Sequence, residues 1–229
     1  MTLYETIFVR RSVRQYNDMP VDAAELAEIE HYLNQAKPLP GGIARFEIVD
    51  KDKLKGELAP YAILAHSDDS IKARINLGYT LQGMDLYLQS AGYGSIWCGM
   101  AAPIEPAADY RVLLGFGKTD IPLRKDESDF KRKKIIDISN ADNAISRAAR
   151  LAPSAVNFQP WLLTFTDNKI VIRANARGLG KILPGKFYLY DIGIITKHVE
   201  VALEHEGKTV TAIEAVCSKK DIAMEVRYK

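Results

Sequence analysis

The same order of structural signals runs through this chain twice. The first pass begins with a helix start at Asp22, where Glu25 stands three residues on, and Leu26, Ile29, Leu33 and Ala36 recur at spacings of three and four. Pro38-Leu39-Pro40-Gly41-Gly42 stops that helix, residues 46–49 read as a short strand, and a long helix over 76–90 ends at Gly92-Tyr93-Gly94. Adding 115 to each position pairs Asp22 with Asp137, Pro38 with Pro153, Phe46 with Trp161, Gly78 with Gly193, Leu88 with Leu203 and Gly92 with Gly207. Few paired residues are identical, so the repeat lies in the order of elements rather than in residue identity. The long helix carries Leu77, Leu81, Met84 and Leu88 on one face, with Tyr79, Leu86 and Tyr87 on others. Apolar residues on several faces require burial all round. The alternation of helices and short strands leads to an expectation of mixed α and β structure, with the long helix near 76–90 at its centre. The expected boundaries are 1–120 and 135–229, joined by a polar, basic linker at 121–134.

A chain of 229 residues is long enough to bury a substantial core in one compact unit or two intimate halves. Its net charge of +2 is too even to argue for nucleic acid or an anionic membrane as partner. Cys98 and Cys217 are the only cysteines, which indicates neither a disulfide framework nor a four-cysteine metal site. No signal-peptide pattern and no membrane-length apolar run is present, so a cytoplasmic location is expected.

Three segments carry candidate chemistry. Thr2 and Glu5 form a capping box for a first helix, which runs into Arg10-Arg11-Ser12-Val13-Arg14. Guanidinium forks and a short hydroxyl suit a phosphate, although a solvated basic helix end has the same composition. The second segment is Ala152-Pro153-Ser154-Ala155-Val156-Asn157-Phe158-Gln159-Pro160-Trp161. Pro153 ends the preceding helix, and Asn157 and Gln159 offer paired donors and acceptors. An ordinary helix-to-strand turn, in which Asn tolerates unusual dihedrals, is the plainer reading. The third is Gly92-Tyr93-Gly94-Ser95-Ile96-Trp97-Cys98-Gly99, either a close-approach loop or a glycine cap followed by a buried strand.

The second segment resembles the A-P-S-x-x-N-x-Q-P-W signature of the FMN-dependent nitroreductase family, whose homodimers complete each flavin site with R-R-S-x-R from the other subunit. The third segment is similar to that family's G-L-G-x-x-x-x-G loop. The resemblance implies that Arg10 and Ser12, with Arg11 beside them, hold the FMN phosphate and that Arg14 reaches the N1/O2 edge. Pro153, Ser154, Ala155, Asn157 and Gln159 would face the ring, and backbone near Trp97, Cys98 and Gly99 would approach N5. Arg132 and Lys134 are similar in place to a basic pair that also touches the phosphate. The resemblance also implies an α+β fold, an α/β sandwich of two tandem half-units packed around helices near 76–90 and 191–206. Both halves of one composite site would then lie on one chain, a pseudo-dimer needing no second subunit. The other composite site is eroded: Leu39-Pro40-Gly41-Gly42-Ile43 lacks polar ligands, and Lys125-Asp126-Glu127-Ser128-Asp129 would repel a phosphate.

The implied function is NAD(P)H-dependent reduction of FMN, followed by reduction of a small acceptor such as a nitroaromatic or quinone. Flavin-fragmenting or dehalogenating chemistry on the same framework, and non-catalytic flavin binding, are the competing expectations. Gly117-Lys118-Thr119 imitates the end of a P-loop, but Val112 stands where that motif needs glycine. His31, His66, His198 and His205 lack ligand spacing, and the last two read as an exposed helical pair. No metal site is expected.

Overall fold

A computed structural model describes residues 1–41, 44–56, 58–175, 187–217 and 221–229. Gly42 and Ile43, part of the expected proline-glycine stop, lie outside them. The described elements are α1 (Leu3–Val9), α2 (Ala23–Gln35), β1 (Arg45–Asp50), β2 (Tyr61–His66), α3 (Ile71–Ser90), β3 (Gly94–Cys98) and β4 (Tyr110–Gly117) in the first half. The second half has α4 (Ala144–Arg150), β5 (Trp161–Thr166), β6 (Lys169–Ala174), α5 (Tyr188–His205), β7 (Val210–Cys217) and β8 (Ile222–Tyr228). The strands form two antiparallel four-stranded sheets, ordered β1-β2-β4-β3 and β5-β6-β8-β7. Among the described residues, once α1 and the 3-10 turns are set aside, each half reads helix, strand, strand, helix, strand, strand, and the second-to-fourth strand pairing is the same in both sheets.

Local chemistry explains the elements. Thr2 with Glu5 and Asp22 with Glu25 each form a reciprocal capping box that satisfies two orphan donors. Gly92 (φ +92°) and Gly207 (φ +71°) end the two long helices in the left-handed region, where glycine escapes the Cβ clash. The residue after each glycine closes the same bond, Tyr93 N–H to Leu88 O and Lys208 N–H to Leu203 O, both at 2.9 Å.

Gly78 and Gly193 mark the crossing of α3 and α5. A Cβ on Gly78 would strike the Tyr190 carbonyl, and one on Gly193 would strike the Ile75 carbonyl and come within 2.6 Å of the Tyr79 nitrogen. Only backbone-to-backbone contact is possible there, so the helices cross without side chains between them. Each then reaches into the other half's core. Tyr190 of α5 packs with Leu77, Leu81, Met84 and the first sheet, while Ile75 and Tyr79 of α3 pack with Trp161, Ile192 and the second sheet.

Several boundaries differ from the sequence expectation. Helix α3 starts at Ile71 rather than near 76, because the Ser70 side chain caps Ala73 N–H at 3.2 Å. Helix α4 is capped by Asn143 through Ser146, not by Asp137, which lies in a single 3-10 turn at Ile135–Asp137. Within the expected linker, Arg124 N–H binds Val9 O at 2.8 Å, and Phe130 is buried with Ile7, Leu86, Ala148 and Leu151. No helix among the described residues is long and apolar enough to cross a membrane.

Candidate functional site

The basic segment leaves α1 at Arg10 and is pinned from two sides. Arg10 Nε donates to Asp85 Oδ2 at 2.7 Å, with both side chains almost wholly buried. Asp85 also accepts from Gln82 Nε2 at 3.0 Å, Gln89 Nε2 at 3.1 Å and Ser95 Oγ at 2.7 Å. Gln89 Oε1 accepts from Arg11 N–H at 2.8 Å, and Ser95 O from Val13 N–H at 2.9 Å. Helix α3 and strand β3 thereby fix the backbone from Arg10 to Val13. His198 of α5 closes the network: its Nδ1 lies 3.1 Å from Ala148 O and its Nε2 lies 3.2 Å from Gln82 Nε2. The amide can donate only to an unprotonated ring nitrogen, which places the imidazole proton on Nδ1. Burial pushes His198 down to about 3, so the ring is neutral. The sequence expectation of an exposed His198 is corrected here, because the crossing of the helices turns that face of α5 inward.

The signature segment forms a tight turn between α4 and β5. Val156 (φ +46°), Asn157 (φ +57°) and Gln159 (φ +51°) all occupy the left-handed region. For a β-branched residue such as Val156 this is a costly conformation that surrounding bonds must hold. Ser154 Oγ accepts from Gln159 N–H at 2.9 Å, and Asp191 Oδ1 accepts from Ala155 N–H at 2.9 Å. Asn157 Oδ1 accepts from Arg132 Nη1 at 2.7 Å, its Nδ2 donates to Lys131 O at 2.8 Å, and Gln159 Oε1 accepts from Lys133 N–H at 2.8 Å.

These segments meet at a cavity of about 500 Å³. Its wall takes Ser12 and Arg14 from the first half, Trp97, Cys98 and Gly99 from the end of β3, and Pro153, Ser154 and Ala155 from the signature turn. Neither the Ser12 hydroxyl nor the Arg14 guanidinium has a hydrogen-bond or ion-pair partner among the described residues, so both are free to meet a ligand. Trp97 Nε1 donates to Gln82 Oε1 at 3.1 Å, which ties the wall to the buried network. Burial pushes the Cys98 thiol up to about 11, leaving it protonated and unreactive at neutral pH.

Six of the sequence-derived residues stand outside that wall. Arg10 is turned inward by Asp85, and Arg11 extends its side chain to Pro122 O at 2.8 Å. Asn157 and Gln159 spend their amides on the 131–133 backbone and on Arg132, so neither presents its amide to the cavity. Arg132 also donates to Leu151 O at 3.1 Å and lies over the Phe130 ring. Lys134 is an exposed residue at the start of a 3-10 turn. Arg10, Arg124, Arg132 and Arg150 nonetheless form one cationic cluster. Burial and these like charges push Arg132 down to about 10, and Arg10 Nη2, Arg132 Nε and Arg150 Nε are buried without hydrogen-bond partners. Orphaned guanidinium donors among mutually repelling cations are suited to an anion.

Sequence reasoning missed the fourth side of the cavity, supplied by Phe187, Tyr190, Asp191 and Ile194 of the α5 region. The available signal was one acid in the otherwise apolar run Tyr188-Leu189-Tyr190-Asp191-Ile192-Gly193-Ile194-Ile195. Asp191 is only 3% exposed, and burial pushes its carboxyl up to about 8 despite the bond from Ala155.

No curated protein matches the chain. Residues 2–203 match a family described as "Putative TM nitroreductase". Among solved structures, a "putative nitroreductase" from Thermotoga maritima is 19% identical, with 99% of this chain and 94% of that one covered at a TM-score of 0.70. An "FMN-dependent Nitroreductase" from Clostridium difficile is 22% identical, with 53% of this chain and 91% of that one covered at a TM-score of 0.44. A "putative nitroreductase in complex with fmn" from Desulfovibrio desulfuricans is 15% identical, with 62% and 98% covered at 0.47. The family match spans most of the chain and the Thermotoga fold nearly all of it, so the protein belongs to the nitroreductase family.

Proposed function

We propose that this protein is an FMN-dependent oxidoreductase that takes electrons from NAD(P)H and passes them to a small nitroaromatic or quinone, with one flavin site built within a single chain. The observation that carries this reading is the convergence of Ser12 and Arg14 with Pro153, Ser154 and Ala155 around one cavity. Those residues are 139 or more positions apart in sequence, and the α3–α5 crossing brings them together. A volume of about 500 Å³ falls in the ordinary range for small-ligand sites.

The residues present fit FMN. Ser12 and Arg14 offer uncommitted donors in the wall, while Arg10 and Arg132, whose guanidinium groups carry orphaned donors, lie outside it. Bound FMN would supply the hydride chemistry, leaving the protein to position, charge and dry the site. Arg14 provides the charge that favours a reduced, anionic ring. The backbone at Cys98 and Gly99 lines the same cavity, and a Cβ on Gly99 would strike the Phe187 ring at 2.7 Å. Ile96, Ala101, Val112 and Ile194 give the wall an apolar surface that suits a flat apolar acceptor.

The like order of the two halves supports descent from a repeated unit. Only one composite site survives on this reading. Leu39 is packed into the core, while Asp126 and Asp129 are spent on local turns, accepting from Ser128 N–H at 2.8 Å and Lys125 N–H at 3.0 Å. Purified protein reconstituted with FMN should therefore carry one flavin per chain, measured by absorption and by quantifying the released cofactor. Two per chain would contradict the eroded second site, and none would remove the flavin reading.

A further inference from the structure

The two halves solve one local problem with different chemistry. In the first half, Asn76 Oδ1 accepts from Leu39 N–H at 2.7 Å and so holds the segment after α2. Asp191 occupies the position paired with Asn76 by the offset of 115, and its Oδ1 accepts from Ala155 N–H at 2.9 Å, one residue past the partner of Leu39. Both residues are buried, in the first turn or two of their helices. An amide oxygen performs this holding role in the half without a site. The half that lines the cavity has a carboxyl instead, and holding the loop does not require an acid.

Asp191 pairs with no cation among the described residues, although it belongs to the cavity wall. The other ionisable groups in that wall are Arg14, Cys98 and Tyr190. Arg74, next to Tyr190, is occupied by Asp69 and by the Tyr190 hydroxyl at 2.7 Å. Position near the start of α5 favours a carboxylate through the helix dipole. Burial opposes this more strongly and pushes the group up to about 8, which leaves it an acid at neutral pH.

We propose that Asp191 is the proton donor to the acceptor reduced in this cavity. The inference rests on the reductase reading above and deepens it. A quinone becoming a hydroquinone gains two electrons and two protons. Bound FMN, reduced by NAD(P)H, would supply one proton with both electrons as hydride. The second comes from Asp191: its O–H bond breaks, an O–H bond forms on the second quinone oxygen, and the resulting carboxylate regains a proton from water at the cavity mouth. The acceptors that profit are therefore those needing a proton, quinones and nitroaromatics, rather than pure electron acceptors.

The test compares holoenzyme turnover of benzoquinone, which takes up protons, with that of ferricyanide, which takes none. Asp191→Asn keeps an oxygen for Ala155 N–H, as Asn76 does for Leu39, so the turn should survive. The ratio of benzoquinone to ferricyanide turnover is expected to fall about 10²-fold in the variant. Infrared titration of the flavin-free protein should show a carboxylic-acid band in wild type at pH 6 that disappears above pH 8 and is missing from Asp191→Asn. If the variant does not fold, the wild-type pH profile decides, because the same ratio should fall above pH 8. An unchanged ratio, or no acid band at pH 6, overturns the proposal while leaving the reductase standing. Wild type that binds no flavin overturns the reductase reading itself, and with it the proton's destination.

Discussion

Arg10 and Arg14 are four positions apart in one basic segment, yet the structure gives them different energetics. Arg10 is an internal ion pair with Asp85, and the carboxylate it neutralises is almost wholly buried. Arg10→Ala would strand that charge, which typically costs about 3–5 kcal/mol, so the variant should unfold at markedly lower urea. Arg14 is exposed and makes no ion pair among the described residues. Arg14→Ala should leave stability within about 0.5 kcal/mol while weakening FMN, since a charge-assisted contact contributes roughly 1.5–3 kcal/mol, or about 10- to 200-fold in Kd. Urea unfolding and flavin titration on the pair separate the two roles. An equal loss of flavin with unchanged stability in both would mean that Arg10 is not held as described.

Helices α3 and α5 meet through glycine backbone, and a second glycine in α3 offers an internal control. A Cβ on Gly83 would meet only the flexible end of Lys197, at 3.6 Å. Gly83→Ala should therefore be neutral or stabilising by up to about 1 kcal/mol, the helix propensity gained. At Gly78 the obstacle is the Tyr190 backbone, with its carbonyl carbon 2.8 Å away, and backbone cannot swing aside as a lysine can. Gly78→Ala must push the helices apart and should cost about 1–3 kcal/mol or more. The separation would also disturb Tyr190 and Asp191, so flavin affinity should fall in Gly78→Ala and not in Gly83→Ala. Equal urea midpoints for the two variants would argue against the crossing.

Two fully buried groups of opposite sign set part of the pH dependence of folding. Asp191 is raised from 3.8 to about 8, so the unfolded chain gives up this proton first, and stability is lost as pH rises through that window. His198 is lowered from 6.5 to about 3, so the unfolded chain takes up this proton first, and stability is lost as pH falls through its window. Between pH 4 and 6.5 the two slopes, each about 1.4 kcal/mol per pH unit, offset one another. Above pH 6.5 only the Asp191 slope remains. Asp191→Asn should therefore gain on wild type steadily from pH 4 to 8, as read from urea midpoints at pH 5, 6.5 and 8. A constant difference across that range would show that Asp191 titrates normally.

How far the sequence could be read follows from the range of each interaction. Caps, stops and helix periodicity are local, and Thr2 with Glu5, Asp22 with Glu25, and Gly92 with Gly207 announced their roles within a few residues. The glycine pair 78 and 193 was visible as a repeat, although nothing local said that the two would touch. The signature from Pro153 to Trp161 marked a special turn because few segments combine those residues. The orientation of its side chains was not legible. Arg10 and Gln159 turn to Asp85 and to the Lys133 backbone because buried donors and acceptors find partners wherever the chain happens to pass, while the exposed Asn157 turns to Lys131 and Arg132. Asp191 and His198 looked like ordinary helix residues, and their unusual protonation comes from desolvation. Burial of that kind belongs to neighbours far away in sequence, so it exists only once α3 and α5 have crossed.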